Sequence, residues 1–105
     1  MTTDNITYIE KRMDEIGSKE FHLQPMRIEV ESGISLQKIA AYNEYLFLIS
    51  KTLPQDIIIQ SDNNIFCSSV HQLDNLPPYE FTGMVTIESS SSEPFVIDFI
   101  RVIPK

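Results

Sequence analysis

The sequence predicts an α+β fold, in which an N-terminal amphipathic helix packs on a mostly antiparallel sheet with a C-terminal β-hairpin. The first segment repeats apolar residues every three or four positions, as a helix does. Later segments alternate apolar and polar residues, as strands do, and turn-forming residues separate them. An all-β sandwich or barrel with an N-terminal helix is the alternative. The 105 residues, 1–105, are expected to form a single domain.

The first segment, residues 4–16, has the periodicity of a helix. Its apolar residues form one stripe at spacings of three, four and three, and they are Ile6, Ile9, Met13 and Ile16. Asp4 or Thr3 can cap the start of this helix, and Gly17 can adopt the left-handed conformation that ends it. Charged residues fall mostly on the opposite side, so the helix is expected to lie on another element.

Residues 25–31 alternate strictly and predict a strand with one solvated face. After Gly33, Ser35 could cap a second helix with one buried side, formed by Leu36, Ile39 and Ala40. Residues 42–49 are ambiguous between helix and strand. Their aromatic and β-branched content favours a strand at 45–49, whereas the absence of Gly and Pro favours a continued helix. We expect a short helix or irregular turn followed by a strand.

Residues 53–67 predict a β-meander. A turn at 53–56 precedes a strand at 57–60, and the polar cluster 61–64 forms a second turn before Ile65, Phe66 and Cys67. The stretch 68–78 has mixed polarity and ends in two prolines, so it is expected to be a surface connection. Connections of this length are where binding residues are often placed.

The last third predicts a β-hairpin, formed by alternating strands at 79–88 and 95–103. The segment between them contains four consecutive serines and is expected to be the hairpin loop. Both sides of the second strand are apolar over most of its length. It is therefore expected to be a central strand.

Composition restricts the classes of function. Eight Lys and Arg against fifteen Asp and Glu give a net charge of −7, and this acidic balance disfavours nucleic-acid binding. No apolar stretch approaches the roughly 20 residues that span a bilayer, and the first residues do not resemble a secretory signal. The single cysteine, Cys67, excludes an internal disulfide scaffold. A cytoplasmic location without membrane or nucleic-acid partners is therefore expected.

The residues that come nearest to a chemical site are Cys67, His71 and Asp74. Thiol catalysis needs a base within hydrogen-bond reach of the sulfur. If Cys67 ends a strand, a residue four positions later in an extended chain lies about 13 Å away, although a turn at 68–69 could bring the two together. We expect no catalytic set, and we keep these three residues as candidates for a pocket. No spacing typical of a metal, phosphate or other cofactor site is present.

The expected function follows from the distribution of apolar residues along the chain. The runs 45–49, 57–59 and 95–102 each call for cover on both faces of a strand, and a single helix covers only one side of a sheet. We therefore expect a non-enzymatic interaction or self-assembly module, whose partner is a second copy in a homo-oligomer such as a dimer, or another protein. The alternative is a small-ligand-binding protein or enzyme with a pocket near Cys67 and His71, under the connection 68–78.

Overall fold

The structure, a computed structural model, describes residues 2–18, 20–50, 52–69 and 78–105. Within these residues one helix, α1 at Thr2–Glu15, packs against an antiparallel sheet of six strands. The strands are β1 at Phe21–Val30, β2 at Ser35–Leu48, β3 at Ile57–Gln60, β4 at Ile65–Cys67, β5 at Tyr79–Ser89 and β6 at Phe95–Pro104. The predicted α+β class, with an N-terminal helix on an antiparallel sheet, is confirmed.

Strand β2 divides the sheet into two parts. The strand order is β1-β6-β2-β5-β3-β4, and β2 pairs with β5 from Ser35 onwards but with β6 only from Tyr45 to Leu48. The register against β5 shifts between Ala41 and Leu46, which is the irregularity that bends a strand. We call β1, β6 and residues 45–48 of β2 the helical half, and residues 35–41 of β2 with β5, β3 and β4 the open half.

The inner faces of the two halves pack on each other and form the main core. This core joins residues of the helical half, such as Val30 and Phe99, with residues of the open half, such as Ile59 and Phe66. Tyr79 packs edge-on against Phe66, with ring centroids 4.9 Å apart. The other buried members are Ala41, Leu46, Leu48, Ile57, Phe81, Val85, Ile87 and Ile97. Burial of this apolar surface is what holds the halves together.

Helix α1 lies on the outer face of the helical half. Ile9 and Met13 are fully buried there against Phe47, Ile100 and Val102. Half-buried neighbours complete this second cluster and include Ile6 and Ile16, so the predicted stripe is confirmed.

The helix ends where the sequence indicated but begins earlier. Gly17 has φ of 84° and the amide of Ser18 donates to the carbonyl of Met13 at 2.9 Å, as in a glycine-terminated helix. Its first residue is Thr2, so the predicted caps Thr3 and Asp4 lie inside the helix. No helix among the described residues is long and apolar enough to cross a bilayer.

The predicted second helix is wrong, because residues 35–48 form strand β2. Ser35, Gln37 and Ile39 are half-buried on the inner side, while Leu36 and its even-numbered neighbours are exposed. Polar Ser35 and Gln37 therefore occupy the positions at which an alternating pattern would show apolar residues. Ten register pairs with β5 determine the strand instead.

Strands β5 and β6 are both present and are joined by the serine loop, but they do not form the direct ladder of a hairpin. Strand β2 lies between them, β5 pairs with β2 and β3, and β6 pairs with β1 and β2. The expectation that β6 is central is confirmed. Strand β1 begins at Phe21 rather than at Pro25, and Pro25 is tolerated inside it because β1 is an edge strand.

Candidate functional site

The outward side of the open half presents two rows of side chains across four strands. Register partners in a sheet point the same way, so residues far apart in sequence become neighbours. The first row consists of Leu36, Glu88, Ile58 and Cys67, on β2, β5, β3 and β4. The second row consists of Lys38, Thr86, Gln60 and Ile65. We call these eight residues the outer face.

The outer face keeps large apolar side chains in contact with solvent. Leu36 is 59% exposed and Ile65 is 51% exposed, and Ile34, which directly precedes β2, is 97% exposed. Part of the corresponding surface of the helical half is covered by α1, where Phe47 and Val102 are fully buried. The outer face is thus a part of the sheet that the helix does not cover.

A depression of about 600 Å³ lies along the first row of the outer face. Its apolar wall is formed by Ile34, Leu36, Ile58 and Cys67. Its charged residues are Asp56 and Glu88, and its other polar residues are serines. No Lys, Arg or His is among its described lining residues. The depression therefore combines an apolar wall with a negative rim.

Local hydrogen bonds build the wall of the depression beside β3 and β4. The hydroxyl of Ser68 accepts a hydrogen bond from the amide of Ile57 at 2.9 Å, and the amide of Ser68 donates to the carbonyl of Ile57 at 2.9 Å. Asp56 precedes this closure with φ of 65°, a left-handed conformation that Asp tolerates better than most residues. These bonds hold the end of the strand pair and leave the side chain of Asp56 exposed at the rim.

The three sequence candidates have different outcomes. Cys67 lies in the depression, where it is half-buried and its sulfur is 3.1 Å from the hydroxyl oxygen of Ser69. His71 and Asp74 lie outside the described residues. Within the described ranges, no group of three His, Cys, Asp or Glu side chains is close enough to hold a metal ion.

A second polar cluster, at the turn 61–64, has a structural explanation. The side-chain amides of Asn63 and Asn64 donate to the carbonyl of Glu80 at 3.3 and 3.2 Å, and the amide of Thr82 donates to Asn63 Oδ1 at 3.0 Å. The Thr82 hydroxyl donates to the carbonyl of Glu44 at 2.7 Å, within the irregular segment of β2. These groups satisfy one another and fix β5 at the bend, so the cluster is not a candidate site.

Among the described residues, Arg12 of α1 has a pKa that its surroundings clearly shift. Its Nε donates to Glu80 Oε1 at 2.7 Å, and this hydrogen bond and charge raise the pKa of the Arg12 guanidinium above its ordinary value. The pair joins the helix to β5, on the outer side of the bend. It positions α1 and does not reach the depression.

Comparison with protein-family models, with curated proteins and with solved structures finds no match to this chain. The function is therefore argued from the outer face and its depression. Sequence reasoning missed Ile34, Leu36 and Glu88 as members of one surface, because it assigned Leu36 to the buried side of a helix. An alternating reading of residues 34–41 would have placed Leu36 opposite to Ile39.

Proposed function

We propose that the protein is a non-enzymatic interaction module that binds a protein partner through the outer face. The observation that carries this proposal is the exposure of Ile34 and Leu36 beside Ile58 in the wall of the depression. Ile65 is also exposed, at the far edge of the same sheet surface. Fully burying an exposed aliphatic side chain of this size stabilises a complex by roughly 1.5–3 kcal/mol. Exposed apolar groups that form a contiguous surface are typical of binding sites.

The distribution of the three apolar runs supports the proposal. In the run 45–49, Leu46 and Leu48 lie in the main core while Phe47 lies under α1. The run 95–102 is also divided between the two clusters, except for Val96, which is partly exposed. In the run 57–59, Ile57 and Ile59 are buried, but Ile58 points into the depression. More apolar side chains are thus left without cover on the open half, beside Ile34, Leu36 and Ile65, than on the helical half, where Val96 is exposed.

Site-specific photo-cross-linking tests the proposal in the cells that make the protein. A photoreactive side chain is placed at Ser90, an exposed residue that lines the depression. We expect a discrete covalent adduct, whose mass distinguishes a second copy from a different protein. The same side chain placed at Glu10, on the exposed side of α1, provides the positional control.

A pair of matched substitutions makes the test specific for the outer face. Leu36→Asp puts a charge on the apolar wall and is expected to reduce the adduct formed from Ser90 by at least tenfold, because an unpaired charge opposes burial. Val96→Asp changes another partly exposed apolar residue, 41% exposed on β6, and is expected to leave the adduct unchanged. Equal yields from Ser90 and Glu10, or an adduct that tolerates Leu36→Asp, would contradict the proposal.

The second candidate function is the binding of a small ligand in the depression. Its volume of about 600 Å³ is in the range of small-molecule sites, and Cys67 and Ser69 supply polar groups beside the apolar wall. A ligand in the depression is expected to slow the reaction of Cys67 with a thiol reagent. If metabolite mixtures neither change that rate nor raise the melting temperature, this second candidate fails.

A further inference from the structure

We infer that the part of the partner that binds the depression is a short amphipathic segment of another protein, in which apolar side chains are flanked by Lys or Arg. This inference rests on the proposed function and specifies the chemistry of its partner. It is carried by the size of the outer face and by the charges at the rim of the depression.

The size of the outer face suits a segment better than a second globular copy. Four strands about 4.8 Å apart are roughly 19 Å wide, and two rows of side chains extend over about 13 Å of strand. This flat extent is long and narrow, unlike the broad surface that two globular proteins share in a stable complex. A helix of about 10–12 Å diameter matches the footprint.

The charges at the rim select a basic segment. Asp56 and Glu88 both line the depression, and neither side chain has a hydrogen bond or ion pair among the described residues. A segment with Lys or Arg beside its apolar side chains would pair with these carboxylates while its apolar groups bury Leu36 and Ile58. A second copy brings its own charge of −7 and the same acidic rim, so charge complementarity argues against it.

Lys38 gives the segment an expected orientation. It lies in the second row, beside the row that contains Glu88, and it is not part of the depression lining. A cation of the partner is attracted to the side of Glu88 and Asp56 and repelled from the side of Lys38. The basic residues of the segment are therefore expected over the first row and its polar uncharged residues over the second.

Three synthetic twelve-residue peptides test the inference on the full chain. They share one helical stripe of leucines and differ only in carrying Lys, Gln or Glu at the flanking positions. Each is titrated to 2 mM into ¹⁵N-labelled protein at low and at physiological salt. We expect the Lys peptide to shift the amide signals of Leu36, Ile58 and Glu88, to bind about five- to tenfold more tightly than the Gln peptide, and to weaken as salt rises.

Charge-neutral variants locate the effect. Asp56→Asn together with Glu88→Gln is expected to lower the affinity of the Lys peptide to that of the Gln peptide. Glu10→Gln together with Asp14→Asn removes the same total charge from the exposed side of α1, and it is expected to leave the preference for the Lys peptide in place. The Glu peptide is expected to produce no shift at the depression.

The outcomes separate this inference from the proposed function. A Glu peptide that binds as well as the Lys peptide, or a Lys peptide indifferent to the Asp56 and Glu88 changes, overturns the basic segment. A Ser90 adduct with the mass of two copies also overturns it, yet it leaves the interaction module standing. If no peptide shifts the outer face and Ser90 forms no specific adduct, both proposals are wrong.

Discussion

Glycine at position 83 meets two separate requirements of the chain. Its φ is 88°, in the left-handed region that side chains rarely adopt, and the residue is buried on β5 opposite Ala41. The carboxylate of Asp62, in the turn before β4, occupies the space that a β-carbon at position 83 would need. Both the backbone conformation and the close approach of this turn therefore favour glycine.

The two requirements can be separated by comparing Gly83→Ala with Gly33→Ala. Gly33 has a similar φ of 93° but open space around its missing β-carbon. We expect Gly33→Ala to lower the free energy of unfolding by about 1–2 kcal/mol, and Gly83→Ala to lower it slightly further, because the exposed carboxylate of Asp62 must turn away. Chemical denaturation measures both. If Asp62 is what makes Gly83→Ala costlier, adding Asp62→Ala should recover the extra loss of unfolding free energy. Equal losses of unfolding free energy in the two alanine variants would show instead that Asp62 moves aside without cost.

At the scale of elements, an ion pair joins the helix to the sheet. The carboxylate of Glu80 is 16% exposed and the side chain of Arg12 is 35% exposed, so the pair is partly shielded from water. We expect a double-mutant cycle with Arg12→Met and Glu80→Gln to give a coupling energy of about 0.5–1 kcal/mol from thermal or chemical unfolding.

The matched control for this cycle is the pair between Arg27 and Asp98, which joins β1 to β6. Its Nε to Oδ1 distance is 3.0 Å, but its side chains are 66% and 36% exposed. The same cycle made with Arg27→Met and Asp98→Asn is expected to give a coupling close to zero, because water screens the charges. A larger coupling for Arg27 and Asp98 than for Arg12 and Glu80 would refute the argument from shielding.

The elements also show what sequence patterns can and cannot predict here. The stripe of Ile9 and Met13 identified the helix, because apolar residues recur every three or four positions on a packed helix, regardless of the element against which it packs. The expected strand at 45–49 is present as the last part of β2. The first part of β2, residues 35–41, was not predicted, because Ser35 and Gln37 occupy inward positions where an alternating pattern would show apolar residues. The partners of β5 and β6 were not predicted either, since turn chemistry gives the connection between two strands but not a third strand inserted between them.

From the sequence, the candidate site could be predicted only in general terms, as an apolar strand face that the chain itself does not bury. The apolar runs indicated that some strand face would be left open, and the run 57–59 contributes Ile58 to that face. Its other members come from β2, β4 and β5 and become neighbours only through the register of the sheet. Register depends on long-range pairing, which no local pattern in a single sequence specifies.

For the molecule as a whole, the outer face is expected to be dispensable for stability. Ile34 is 97% exposed and Leu36 is 59% exposed, so Ile34→Ser with Leu36→Thr should change the free energy of unfolding by no more than about 0.5 kcal/mol. Ile59→Ala, on the buried side of β3, should lower it by about 2–5 kcal/mol. Denaturant titration of both proteins measures the contrast. A large loss of unfolding free energy in the protein with Ile34→Ser and Leu36→Thr would mean that the outer face contributes to the stability of the fold.

The pairing of β1 with β6 has a consequence for how the nascent chain folds. Phe21 is paired with Pro104 and Val30 with Phe95, so β1 leaves the ribosome long before its only ladder partner among the described strands has been made. Helix α1 is affected in the same way, because Ile100 and Val102 are part of the surface on which it rests. Helix α1 and strand β1 are therefore made before the strand that secures them, and they stay open to chaperones or proteases until β6 has been made.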